Sequence, residues 1–266
     1  MSTATDPTPY VPAPGTAPKP SLVRLVTVEL RKLVDTRAGF WLLASIAILV
    51  VLASASVMIW APDSAITYDV FMQAAGYPIG FLLPVLAILS VTSEWSQRTG
   101  LVTFTMEPRR IRTLLAKLVA TVIAAVAAVV VSLALAAVAN VLGAAVNGVD
   151  TVWNNGASEI FDWTLLQLLG LLLGFAFATL FRISAVAIVV YYAYNLVISG
   201  LLSVLAAFQE WFADIQGWVD FSFAQIPLTT HSMDGEDWAQ LATSGTIWLL
   251  LPLAVGTWLV LRAEVK

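Results

Sequence analysis

The chain has 266 residues, of which 59% are apolar and only 11% charged, with a net charge of −4. Soluble domains run near half apolar and a quarter charged, so this composition excludes an ordinary water-soluble enzyme and points to an all-α integral membrane protein with several spans. With no cysteine and one histidine, disulfides and thiol chemistry are excluded, and the chain lacks the ligands for a histidine-clustered metal site.

Residues 1–20 hold half of the 12 prolines, from Pro7 to Pro20. The stretch has neither a basic start nor an apolar core, so it does not read as a secretory signal. It is predicted to be a disordered, proline-rich cytoplasmic tail. Over residues 21–37, Leu22, Val26, Leu30 and Leu33 recur at helical spacing, while Arg24, Glu29, Arg31, Lys32 and Asp35 fall mostly on other faces. That pattern predicts an amphipathic entry helix lying in the headgroup region.

The remainder, 38–266, divides into six apolar runs: Ala38–Trp60, Phe71–Thr92, Leu118–Val146, Trp163–Phe181, Ile183–Phe208 and Gly245–Leu261, with Trp238 an earlier start for the last. Arg182 alone separates the fourth run from the fifth. A tight turn there places it at an interface, whereas one continuous helix would not. All 13 lysines and arginines then fall on one side. The positive-inside rule therefore puts both termini and the 93–117 loop in the cytoplasm, in a plasma (inner) membrane. The acids of the other loops, Asp162 and Asp220 among them, face outward. Segment 208–223 is aromatic yet acidic and is expected to form short helices on, or dipping into, the outer leaflet.

No Asp, Glu, Lys or Arg sits at mid-depth in these runs, which argues against proton- or sodium-coupled transport. His231 stands alone in an outer loop, and no Gly-Lys pair exists to make a phosphate-binding Walker loop. In the second span Gly76, Pro78, Gly80 and Pro84 form either a hinge or a static kink. Gly170, Gly174 and Ala178 align small residues on one face of the fourth, for packing within the chain or against a second copy. Tyr191, Asn195 and Ser199, with Tyr194 beside them, form a polar-aromatic stripe on the fifth. It would line a substrate cavity or make interhelical hydrogen bonds.

Between the second and third spans, Glu94 ends one helix, Thr99-Gly100 makes a turn, and Pro108-Arg109-Arg110 leads to Lys117. Arg98 lies between. This order resembles the permease subunits of ABC type-2 transporters. The N-terminal Glu29-Leu-Arg-Lys32, with Arg37, is similar to the entry helix of that family. The resemblance implies a six-span permease that pairs with a second permease copy and with a nucleotide-binding ATPase. ATP and Mg would then sit on that partner and no cofactor on this chain. It further implies that the entry helix and the 93–117 loop form the coupling surface, and that the cargo is a drug, a peptide or a lipid-like compound. Nothing in the chain reads as nucleic-acid binding. The alternative reading is a membrane anchor or sensor that transports nothing and recruits a cytoplasmic partner.

Overall fold

The computed structural model describes residues 20–96 and 110–262. The proline-rich residues 1–19 and the loop residues Arg98, Thr99, Gly100, Pro108 and Arg109 lie outside the described residues. Helix α1 (Leu22–Asp35) begins where the Ser21 hydroxyl accepts the Arg24 N–H at 3.2 Å. Thr36 is extended and ends it. The Thr36 side chain then accepts the Gly39 N–H at 3.2 Å and caps α2 (Arg37–Trp60). One residue thus separates two helices that composition alone would join.

Helix α3 (Tyr68–Ser96) runs through both Pro78 and Pro84. Helix α4 (Arg110–Asn147) has 38 residues. At 1.5 Å per residue it extends about 57 Å, well beyond a hydrocarbon core of about 30 Å. Helix α5 (Ala157–Phe181) starts where the Glu159 carboxylate accepts the Gly156 N–H at 2.8 Å. It stops at Arg182, which takes a left-handed conformation (φ 59°) while its N–H bonds the Ala178 carbonyl at 2.9 Å. That single residue turns the chain into α6 (Ser184–Phe208), as the position of Arg182 predicts.

Three short helices follow, α7 (Glu210–Ala213), α8 (Gln216–Val219) and α9 (Ile226–Thr230). The last long helix, α10 (Gly235–Arg262), starts earlier than its apolar run. There the Asp234 carboxylate accepts the N–H groups of Glu236 and Asp237. Helices α6 and α10 each contain a π-helical turn, Ala193–Ile198 and Thr246–Leu250. Six helices, α2 to α6 and α10, are long and apolar enough to cross a membrane. Among the described residues the only extended pairing is an isolated bridge between Thr67 and Val152.

Helices α3 and α5 form the centre. Of their most apolar stretches 44% and 50% are buried, against 17% in α2 and in α6. Phe71, Ile79, Leu83 and Leu86 of α3 pack with Leu171 and Phe175 of α5, all essentially inaccessible. The outward faces of α2 and α6 carry Leu49, Leu52, Leu201 and Val204, apolar surface that suits lipid contact.

Small residues set the spacing of α5 against α3 and α10. A Cβ on Gly174 would lie 2.9 Å from the Pro84 carbonyl oxygen, and one on Gly256 would lie 2.6 Å from the Leu180 nitrogen. The small-residue face of α5 is therefore used in packing within the chain. Gly174→Ala should lower stability by about 1–3 kcal/mol, because the obstructing atoms are backbone. Gly200→Ala on α6, with open space around it, should be neutral or stabilising by about 0.5–1 kcal/mol. Thermal unfolding of the two variants in one detergent checks the contrast.

Candidate functional site

At the end of the bundle shared by α1 and the start of α4, two charged residues are buried together. Glu29 and Lys117 are 7% and 4% exposed. The Lys117 ammonium donates to Glu29 Oε2 at 2.7 Å and to the Ser90 carbonyl of α3 at 3.1 Å. The second carboxylate oxygen, Glu29 Oε1, accepts from Lys32 at 2.7 Å. The sequence pattern places Glu29 on the polar side of α1, but the fold turns it inward beside Leu33. A carboxylate is tolerated there because α4 supplies the opposite charge. Burial acts to raise the Glu29 pKa. The charges and hydrogen bonds of Lys117, then those of Lys32, outweigh it and leave the group below its ordinary 4.5.

Neighbouring basic residues act as clamps. Arg110 donates to the Val260 carbonyl of α10 at 2.9 Å, and Arg112 donates to the Pro20 carbonyl at 2.8 Å. Of the residues expected at a coupling surface, the structure thus gathers Glu29, Lys32, Arg110 and Lys117 at one end of the bundle. Arg37 opens α2 nearby and is exposed. Glu94 lies in the last turn of α3.

A cavity of about 360 Å³ lies between α3, α5, α6 and α9, with Gln225 and His231 at either end of α9 also in its wall. Gly76 and Gly80 form one wall, facing Trp163, Gln167 and Gly170 of α5, with Tyr191 and Asn195 of α6 deeper in. The glycines expected at a hinge therefore sit in the same cavity as half of the polar stripe on α6. Their smallness lets side chains of α5 lie directly against α3: a Cβ on Gly76 would come within 2.9 Å of Trp163 Nε1, and one on Gly80 within 3.1 Å of Gln167 Oε1. Pro84 packs against Gly174 below it. Pro78, with Tyr77 and Phe81, borders a shallow groove against α2 on the outside of the bundle.

The other half of the stripe has a different role. Tyr194 and Ser199 hold Asp220, which the chain between α8 and α9 folds back into the bundle, where it is fully buried. The Ser199 hydroxyl donates to Asp220 Oδ2 at 2.8 Å, the Tyr194 hydroxyl to Oδ1 at 3.2 Å, and the Ser222 N–H to Oδ1 at 3.1 Å. Tyr194 in turn accepts the Phe221 N–H at 2.9 Å. Its ring lies 4.1 Å from that of Trp248, whose indole N–H donates to the Val219 carbonyl at 2.8 Å. Both π-helical turns meet this one segment, and such turns are frequent at functional sites.

Tyr194 lies about 15 Å along α6 from Ser184 and about 21 Å from Phe208 at 1.5 Å per residue. The lack of acidic and basic residues in the apolar runs thus does not extend to the folded bundle, which encloses Asp220. Asp220 was legible only as a loop acid, because its depth is set by the fold-back and not by its neighbours in sequence. His231 likewise has company, its Nδ1 lying 3.3 Å from Asp162 Oδ2. Among the described residues, no three His, Cys, Asp or Glu side chains cluster to hold a metal ion.

No protein-family model matches the chain, and no curated protein does.

Two outcomes test these clusters. The Glu29–Lys117 pair should hold above pH 4.5 and weaken as pH falls through the lowered pKa, because folding then no longer gains from ionising Glu29. Glu29→Ala at neutral pH should cost about 3–5 kcal/mol, since Lys117 stays buried without its carboxylate. Unfolding followed from pH 7 to pH 3 should show the wild type losing its advantage over this variant. Asp220→Ala should cost about 1–3 kcal/mol through the donors of Tyr194, Ser199 and Ser222. Protease sensitivity of the 209–231 segment should rise in that variant.

Proposed function

We propose that the chain is the membrane-spanning permease subunit of an ATP-driven exporter of the ABC type-2 kind. The observation that carries this reading is the buried junction of Glu29, Lys117 and the Ser90 carbonyl, which fastens the entry helix to α3 and α4 at once. A helix fastened in this way moves the spans when it is pushed, which is what a permease without its own ATP site requires. In this reading α1 lies along the cytoplasmic headgroup layer. Both termini and the 93–117 loop are cytoplasmic in the plasma (inner) membrane. The short helices α7 to α9 sit at the outer leaflet.

A separate nucleotide-binding ATPase would hold ATP and Mg and dock against α1 and the loop that includes Glu94, Arg98 and Pro108. A second permease copy completes the assembly. The cavity between α3, α5 and α6 is the place within this subunit where cargo is met.

The test is to purify the tagged full-length chain from its native membrane in mild detergent and identify what accompanies it. A stoichiometric ATPase is expected, and Glu29→Gln should retain it while lowering substrate-stimulated ATP hydrolysis several-fold. Recovery without any ATPase, under conditions that keep a control transporter assembled, would overturn the permease reading. It would favour an anchor or sensor instead.

A further inference from the structure

Most polar side chains inside the bundle are spoken for. Gln225 donates to the Phe221 carbonyl at 2.7 Å, and Asn195 donates to the Tyr191 carbonyl at 2.8 Å and accepts from Ser222 at 3.1 Å. Among the described residues four fully buried atoms have no hydrogen-bond partner, Ser54 Oγ, Thr113 Oγ1, Asn140 Oδ1 and Asn155 Oδ1, and none of them lines the cavity. Three groups on the cavity wall are also unbonded within the protein. The Trp163 indole N–H, the Gln167 carboxamide and the Tyr191 hydroxyl make no hydrogen bond to any described residue. Yet these residues are only 5%, 4% and 5% exposed, and all three line the same space.

Leaving one such group unmade costs about 1–3 kcal/mol in a folded protein. None of these three groups is sealed off; each reaches the open space of the cavity, where water or a ligand bonds to it. Tyr77 and Phe81, both more than half exposed, line the same cavity, so it communicates with the surface and a ligand can enter.

We infer that this cavity binds an uncharged small molecule that presents oxygen acceptors on a flat, partly apolar body. The donors set the class. An indole N–H only donates, a phenol donates and accepts, and a carboxamide does both, so the wall favours hydroxyl, carbonyl or ether oxygen. No Lys, Arg, Asp or Glu lines the space, and its one imidazole, His231, is engaged with Asp162 at 3.3 Å, so a charged ligand would lose its hydration with no free counter-charge in return. The rings of Trp163, Tyr191 and Phe81 and the apolar Leu166, Leu173 and Leu228 in the lining suit a flat ring system. The inference stands on the cavity itself and does not depend on what drives the protein.

The probe is 4-(hydroxymethyl)benzophenone, which is uncharged, carries a carbonyl and a hydroxyl, and inserts into nearby C–H bonds on illumination. The full-length chain in lipid nanodiscs is labelled over a concentration series, and the labelled peptides are mapped by mass spectrometry. Saturable labelling is expected on α3 between Gln73 and Phe81 and on α5 around Leu166. The anionic analogue 4-benzoylbenzoate should leave those peptides unlabelled. Gln167→Leu and, separately, Tyr191→Phe should weaken saturation there roughly three- to tenfold, the size of one lost hydrogen bond. Labelling of Leu49 and Leu52 on the outer face of α2 should not change.

Tyr191→Phe keeps the ring and removes one oxygen, so it remains informative if Gln167→Leu folds poorly. Labelling that does not saturate, that is equal for the anionic analogue, or that ignores both variants would overturn the inference. The cavity would then hold water or a lipid chain only. Labelling needs no ATPase, so this outcome and that of the co-purification are read independently.

Discussion

Where α5 crosses α3, Gly174 lies so near the Pro84 carbonyl that a single methyl group would press on it at 2.9 Å. Helices surrounded by lipid gain nothing from burying one apolar surface rather than another, so close packing must hold them together. Small residues supply it here, at Gly174 against Pro84 and at Gly256 against Thr179 and Leu180. The other helices are arranged around this central pair. The contact also explains the cavity. At Gly174 the two helices touch, and at Gly76 and Gly80 the Trp163 and Gln167 side chains of α5 come between them and form part of the cavity wall.

Polar groups are distributed by the same economy. In apolar surroundings a hydrogen-bonding group must find a partner within the protein. The Asp220 carboxylate meets this demand with a serine, a tyrosine and a backbone amide, all neutral donors. Glu29 and Lys117 meet it with opposite charges and extra hydrogen bonds to Lys32 and Ser90. A buried pair of this kind adds little net stability over apolar packing of the same shape. What it fixes is the register of α1 against α4, because any slip would leave a charge buried and uncompensated. The polar groups of Trp163, Gln167 and Tyr191 instead face the cavity.

The two clusters lie at different levels of one helix scaffold. Helix α3 carries the Ser90 carbonyl near one end and the Gly76–Gly80 ledge nearer the other. The junction that fastens α1 and the wall of the cavity are thus parts of the same continuous helix. If α1 is where a partner pushes, α3 is the element that conveys the push to the cavity.

Much of this was written in local chemistry. Six apolar runs, a turn at Arg182 and a separate amphipathic helix at Leu22–Asp35 follow from hydropathy, charge and capping, each of which acts over a few residues. The small-residue face of α5 and the polar stripe of α6 were legible for the same reason. Their partners were not. Which half of the stripe lines a cavity and which half binds a carboxylate depends on the return of the 209–225 segment. No periodicity in sequence encodes that return. Glu29 reads as a solvated charge on α1 until Lys117 arrives from 88 residues away. The sequence by itself determined the helices and the charge asymmetry, because burial in an apolar medium is a property of each segment. Only the tertiary structure decided which polar groups are paired and which are left facing open space, because pairing is a property of two segments meeting.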